Sequence, residues 1–169
     1  MADVTVTLPV LTANATMPAI AVSVFVDPDA NVVSDVAPTV PQVDVLEGSF
    51  DSLGATAERD ASFAEVPYGA TVTGVSYTPK ANITGANTDT RTLQLVNRGQ
   101  DGNSERLIAQ VTFLSGVNAT DYNEVELTLT DTLSYREVAA GDILELVSRH
   151  SGSGLADPGG LLQVEITRL

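Results

Sequence analysis

His150 is the single imidazole of the chain and stands in the run RHSGSG (149–154), beside Ser151 and Ser153. A serine nucleophile needs a base that is itself oriented by a third group, and adjacency along the chain does not supply that geometry. A histidine in a Gly–Ser loop reads as a solvated side chain, so no catalytic residue is assigned. The run DPDANVVSD (27–35) offers Asp27, Asp29 and Asn31 at the first three ligand positions of a calcium loop. Val32 then stands where the loop requires Gly, and Pro38 where it requires the bidentate Glu, so the run reads as a polar turn and no metal ligand is assigned. GSGLADPGG (152–160) is Gly-rich, but a phosphate cradle pairs such glycines with a following helix and a Lys or Arg. Here a strand pattern follows, and the nearest charge is Asp157. The run is an inter-strand loop, long enough to offer a contact surface.

The remaining patterns are weaker. Asn-X-Thr triplets at 14–16, 82–84 and 118–120 match the glycosylation pattern, yet no secretory signal is read that would bring them to a glycosylating compartment. Phe113 reads as core, and Tyr68, Tyr77, Tyr122 and Tyr135 as rims of a core. A sugar platform would use exposed aromatics, and the chain has no Trp. There is no Cys, which removes thiol nucleophiles, disulfides and Cys-based zinc sites. No cofactor is expected, and the chain reads as a non-enzyme.

The elements that would have to position any site are β-strands. Val, Thr and Ile together make 46 of 169 residues, and β-branched side chains suit a pleated sheet better than a helix. Leu107, Ala109, Val111 and Phe113 share one face of ERLIAQVTFLSG (105–116). In NEVELTLT (123–130), Val125, Leu127 and Leu129 alternate with polar residues. In LLQVEITR (161–168), Leu162, Val164 and Ile166 do the same. A period of two marks strands with one buried and one wet face. TVTGVSYT (71–78), TRTLQLV (90–96) and DILELVSR (142–149) are further strands, and turn residues at 79–80, 85–87, 98–103, 116–118, 140–142 and 152–160 separate them. The only helical candidate lies around 54–64. The expected fold is all-β: an antiparallel β-sandwich, jelly-roll-like rather than immunoglobulin-like, preceded by an extended N-terminal arm.

The arm is inferred from a change of composition. Residues 1–58 hold eight acids and no base, and five of the eight prolines fall in the first 41 residues. The first Gly is Gly48. Each Pro removes a backbone donor, so the short runs VTVTL (4–8) and IAVSVFV (20–26) cannot all be central strands. Leu8, Leu11, Ile20, Val24, Phe25 and Val26 are nevertheless costly to leave wet, at roughly 1.5–3 kcal/mol for each large apolar side chain. They are the expected partner-binding residues. The division is therefore an arm at 1–58 and a sandwich domain at 59–169. The formal charge of −14 argues against nucleic acid and anionic membrane as partners.

These residues carry a resemblance. ITGANTDTRTLQLVNRGQDG (83–102), FLSGVNA (113–119), AAGDILELVSRHSGSGLADPGG (139–160) and LLQVEITRL (161–169) resemble small β-sandwich structural proteins of tailed bacteriophages. The leader VTLPVLTANATMP resembles N-terminal segments of actinobacteriophage virion proteins. Size, acidity and arm are most similar to capsid decoration (cement) proteins. The resemblance implies a virion protein made in the host cytoplasm that binds the outside of the head, bridges capsomers and partners the major capsid protein. It also implies self-association, as a homotrimer first and a dimer next. A minor tail protein and a carbohydrate-binding or adhesion module are the alternatives. The resemblance carries no individual functional residue.

Overall fold

The computed structural model describes residues 42–169. The arm positions Leu8, Leu11, Ile20, Val24, Phe25 and Val26, and the 27–35 run, lie outside the described residues. Ten strands follow in order: β1 (Val43–Phe50), β2 (Arg59–Glu65), β3 (Ala70–Pro79), β4 (Thr90–Asn97), β5 (Arg106–Thr112), β6 (Val125–Glu126), β7 (Thr128–Leu129), β8 (Glu137–Val138), β9 (Ile143–Ser151) and β10 (Gly160–Arg168). One helical turn, α1 (Leu133–Arg136), precedes β8.

The strands form two antiparallel sheets. The first runs β1-β10-β3-β6, with β8 also on β3, and the second runs β2-β9-β4-β5-β7. The pairings nest: β1 with β10, β2 with β9, β3 with β6 and β8, β4 with β5. This is one long antiparallel hairpin rolled up, so that the chain changes sheet at almost every connection. That arrangement is the jelly roll. Between the sheets lie Val72, Val75 and Tyr77 of β3, Leu162, Val164 and Ile166 of β10, Leu93 and Leu95 of β4, and Leu144 and Leu146 of β9. The alternation read at 161–168 thus selects the inward face of β10, whereas the buried set of β3 shifts from Val72 to Val75 and Tyr77 across an irregularity opposite Glu165/Ile166.

Four expectations change. The stretch 43–50, assigned to the arm, is an edge strand of the sandwich, paired with β10 along all eight residues. Its sidedness is not the one its valines suggest. Val43 and Val45 face solvent at 54% and 48% exposure, while Leu46 and Phe50 pack on the core. Gly48 is required on the inward face because a Cβ there would lie 2.8 Å from the Phe63 ring, which itself packs edge-on against Phe50. The helical candidate at 54–64 is instead a loop leading into β2, since from Arg59 the chain completes the edge beside β9. The single strand read at 123–130 is split. Val125 and Glu126 pair with β3 in the first sheet, and Thr128 and Leu129 pair with β5 in the second, with the buried Leu127 at the crossing. In β5, Ile108 is buried as well as Ala109, because a bulge in the ladder at Leu95/Val96 of β4 breaks the strict alternation.

Candidate functional site

Arg91 and Asp157, which the sequence reading left without a role, organise one end of the sandwich. Arg91 is fully buried on β4. Its Nε donates to Leu155 O at 2.8 Å, and its Nη1 donates to Ala57 O at 2.7 Å and Ser148 Oγ at 3.4 Å. Its Nη2 donates to Ala55 O at 2.7 Å and Gly54 O at 3.0 Å. A guanidinium has five N–H groups, and all five are used. Asp157, also buried, accepts from Tyr77 OH and Gly159 N at 2.9 Å each and from Ser148 Oγ at 3.3 Å, with Arg59 Nη1 at 3.9 Å. Backbone bonds between Leu53 and Asp157 close the arrangement in both directions. Two loops, 51–58 and 152–159, are thereby fastened over the end of the core.

Burial lowers the proton affinity of Arg91, while Asp157 and then Glu58 oppose that shift. Burial also raises the Tyr77 phenol above its ordinary range, and the Asp157 carboxylate beside it raises it further. Ser148, Asp157 and Arg91 are all sealed from solvent, so this cluster offers no path for a substrate. Its work is to hold loops. The Gly-rich run belongs to the same arrangement. Gly154 has φ +70° and stands so close to the 51–58 loop that a Cβ would meet Ala55 O at 2.0 Å. No hydrogen bond joins His150 to Ser151 or Ser153, and its Nδ1 is buried without a partner among the described residues. His150 instead stands opposite Arg91 in the β4–β9 ladder.

The outer faces are polar. On the second sheet Arg98 donates to Glu145 Oε1 at 2.9 Å, and Arg149 lies beside Asp60 and Glu58. The exposed Arg149 pairs contribute little individually, while the Arg98–Glu145 pair is part-buried. On the first sheet a groove of about 390 Å³ is lined by Glu124, Glu126 and Glu165, with Gly74 making room for the Glu165 carboxylate. Among the described residues, no group of three or more His, Cys, Asp or Glu side chains is arranged to hold a metal ion.

A different surface lies at the rim where β5 meets β7. Only Ala109 and Gln110 of β5 pair with β7, so the second sheet has a short cover there and the core comes to the surface. A groove of about 520 Å³ results, lined by Leu107, Val111, Leu114, Val117 and Leu129 among others, with Asp131 its one charged residue. Leu114 and Val117 are 44% and 39% exposed. Of the tyrosines read as rims, Tyr77 is fully buried, Tyr122 and Tyr135 are exposed, and Tyr68 donates to Asp44.

No protein-family model matches the chain. No curated protein matches it either. Solved structures give similarities of fold. A chain of the infectious bursal disease virus Gx strain is 15% identical, with a TM-score of 0.41 over 86% of this chain and 36% of that one. A chain of the Gt strain is 18% identical, with a TM-score of 0.37 over 86% and 37%. A chain of Desmodium yellow mottle tymovirus is 12% identical, with a TM-score of 0.35 over 91% and 96%. The chain thus spans little more than a third of the two bursal disease virus chains. The jelly-roll assignment stands on the strand pairing itself.

Proposed function

We propose that this chain is a structural protein of a virus particle, and within that class a capsid decoration protein. It binds the outside of a tailed-phage head and bridges capsomers, with the major capsid protein and further copies of itself as partners. The observation that carries this reading is the division of labour on the sandwich. The buried charged groups at its end are consumed in fastening loops, whereas an apolar groove at the β5/β7 rim is left open. Such a molecule is organised to meet other polypeptides. The sequence resemblance to phage virion proteins supports the same class. In this reading the segment before Gln42, with Leu8, Leu11, Ile20, Val24, Phe25 and Val26, supplies apolar contacts, and the isolated chain forms a closed homotrimer.

Mass spectrometry of purified particles tests the assignment through copy number relative to the major capsid protein. Hundreds of copies are expected. A few copies would place the chain in the tail, and none would remove it from the virion. Because β1 belongs to the sandwich, the informative truncation removes residues 1–41. The remainder is expected to stay folded and to lose at least about tenfold in co-sedimentation with undecorated particles, or ~1.4 kcal/mol. Unchanged binding would show that the sandwich alone docks.

A further inference from the structure

The β5/β7 groove is preorganised. Its outer wall is the turn 114–117, in which Val117 N donates to Leu114 O at 2.8 Å and Gly116 takes φ +90°. Neighbouring chain braces the turn. Ile83 and Ala119 exchange backbone bonds of 2.8 and 2.9 Å, Gly85 N donates to Asn118 Oδ1 at 2.9 Å, and Gly85 lies flush against the carbonyls of Leu114 and Val117. Two exposed apolar side chains are therefore held in place before any partner arrives, which lowers the ordering cost of binding. Beside them, β7 pairs with Ala109 and Gln110 at the middle of β5 and Thr130 N donates to Ile108 O, so that edge is open only at Arg106–Leu107 and Val111–Thr112 among the described residues. An apolar slot flanked by such short open stretches accepts an extended segment with apolar residues at alternate positions.

We propose that the occupant is residues 20–26 of a second copy of this chain, IAVSVFV. This run has no charge, and Ile20, Val22, Val24 and Val26 fall on one side at the period a strand requires. It matches a groove with a single charged lining residue in a chain of net charge −14, most of whose surface repels its own copies. Length permits the exchange. Fifteen residues separate Val26 from Gln42 and can reach roughly 50 Å. Charge opposes the same copy's path across the first sheet. β1 and the β5/β7 groove stand at opposite rims, so the same copy's linker, with Asp27, Asp29 and Asp35, would have to cross the width of a sheet. On the first sheet that path meets Glu47, Glu165, Glu126 and Glu124, whereas on the second Glu58, Asp60 and Glu145 are paired with Arg149 and Arg98 and repel little. A contact of segment to groove, made once per copy, is head-to-tail and gives a ring when the rotation between copies closes. The inference deepens the self-association part of the proposed function and rests on that part alone.

The test uses the full chain without particles, so its outcome is separate from that of head binding. Val24→Ser/Val26→Ser and Leu114→Ser/Val117→Ser alter segment and groove without adding charge. Analytical ultracentrifugation is expected to show wild-type self-association, at least about tenfold weaker in either pair, and no weaker still when the pairs are combined in one chain. Mixing the two variants one to one is expected to restore a heterodimer, because one copy keeps the segment and the other keeps the groove. A monomeric wild type, a segment variant that associates as the wild type does, or a mixture that stays monomeric would each overturn the proposal. Circular dichroism of each variant confirms the fold. If the groove pair unfolds, Val117→Ser alone replaces it.

Discussion

Replacing Arg91 with Met keeps much of the side-chain length and removes every hydrogen bond that fastens the 51–58 and 152–159 loops to β4. Three backbone carbonyls, of Ala55, Ala57 and Leu155, lose their donor, Gly54 O keeps only the Ala57 N–H, and Asp157 loses one of two nearby positive charges. A buried acceptor left unpaired costs about 1–3 kcal/mol. The loops are short and lie at the end of the sandwich, so water can reach part of the freed carbonyls. Relief of the arginine's own desolvation also offsets part of the loss. The net expectation is a loss of about 4 kcal/mol, a large share of the ~5–15 kcal/mol available to a domain. For a domain of this size it corresponds to a fall in Tm of roughly 12–20 °C. Arg91→Lys keeps the charge but has three donors at a single point instead of a planar fork, so it should fall between the two. Urea unfolding followed by circular dichroism gives the magnitude. Hydrogen exchange at the amides of Leu53, Asp157 and Gly159 shows where it acts. Arg91→Met within about 1 kcal/mol of wild type, with those amides still protected, would refute the assignment of Arg91 as the pin of this end.

Three further outcomes are expected. Tyr77 stays protonated in the folded chain while an unfolded phenol deprotonates near pH 10, so the folded state binds the extra proton above that pH. Stability from this group is complete below about pH 10 and falls by about 1.4 kcal/mol per pH unit above it, a slope that denaturant titrations should find reduced by one proton in Tyr77→Phe. Gly85→Ala places a Cβ 1.9 Å from Leu114 O and 2.4 Å from Val117 O, so it should cost about 3 kcal/mol, whereas Gly69→Ala meets nothing within 4 Å and should be neutral or slightly stabilising in the same melts. Thermal melts in EDTA and in calcium should coincide, and a large calcium-dependent rise would restore Asp27 and Asp29 as ligands.

The strands β3, β4, β5, β9 and β10, the turns between them and the inward face of β10 were legible in the residues, because alternation and turn chemistry are local properties that survive in one dimension. Leu162, Val164 and Ile166 read as one buried face, and all three are buried. The class of fold followed from the same pattern. Pairing of β1 with β10 did not, since its partner lies more than a hundred residues away and its valines point outward. The division of 123–130 between sheets was equally hidden, because a period of two is continuous across Leu127 while the choice of neighbour is not. The buried end shows the limit most plainly. An arginine reads as solvated until five acceptors converge on it, and the acceptors of Arg91 come from two loops and β9, 34 to 64 residues distant. The same holds for the open rim. Leu114 and Val117 look like ordinary strand-end residues, and only the short reach of β7 leaves them at the surface. Periodicity records which side of a strand is apolar; the closing of the roll decides whether that side is covered, because coverage depends on how far the neighbouring strand extends.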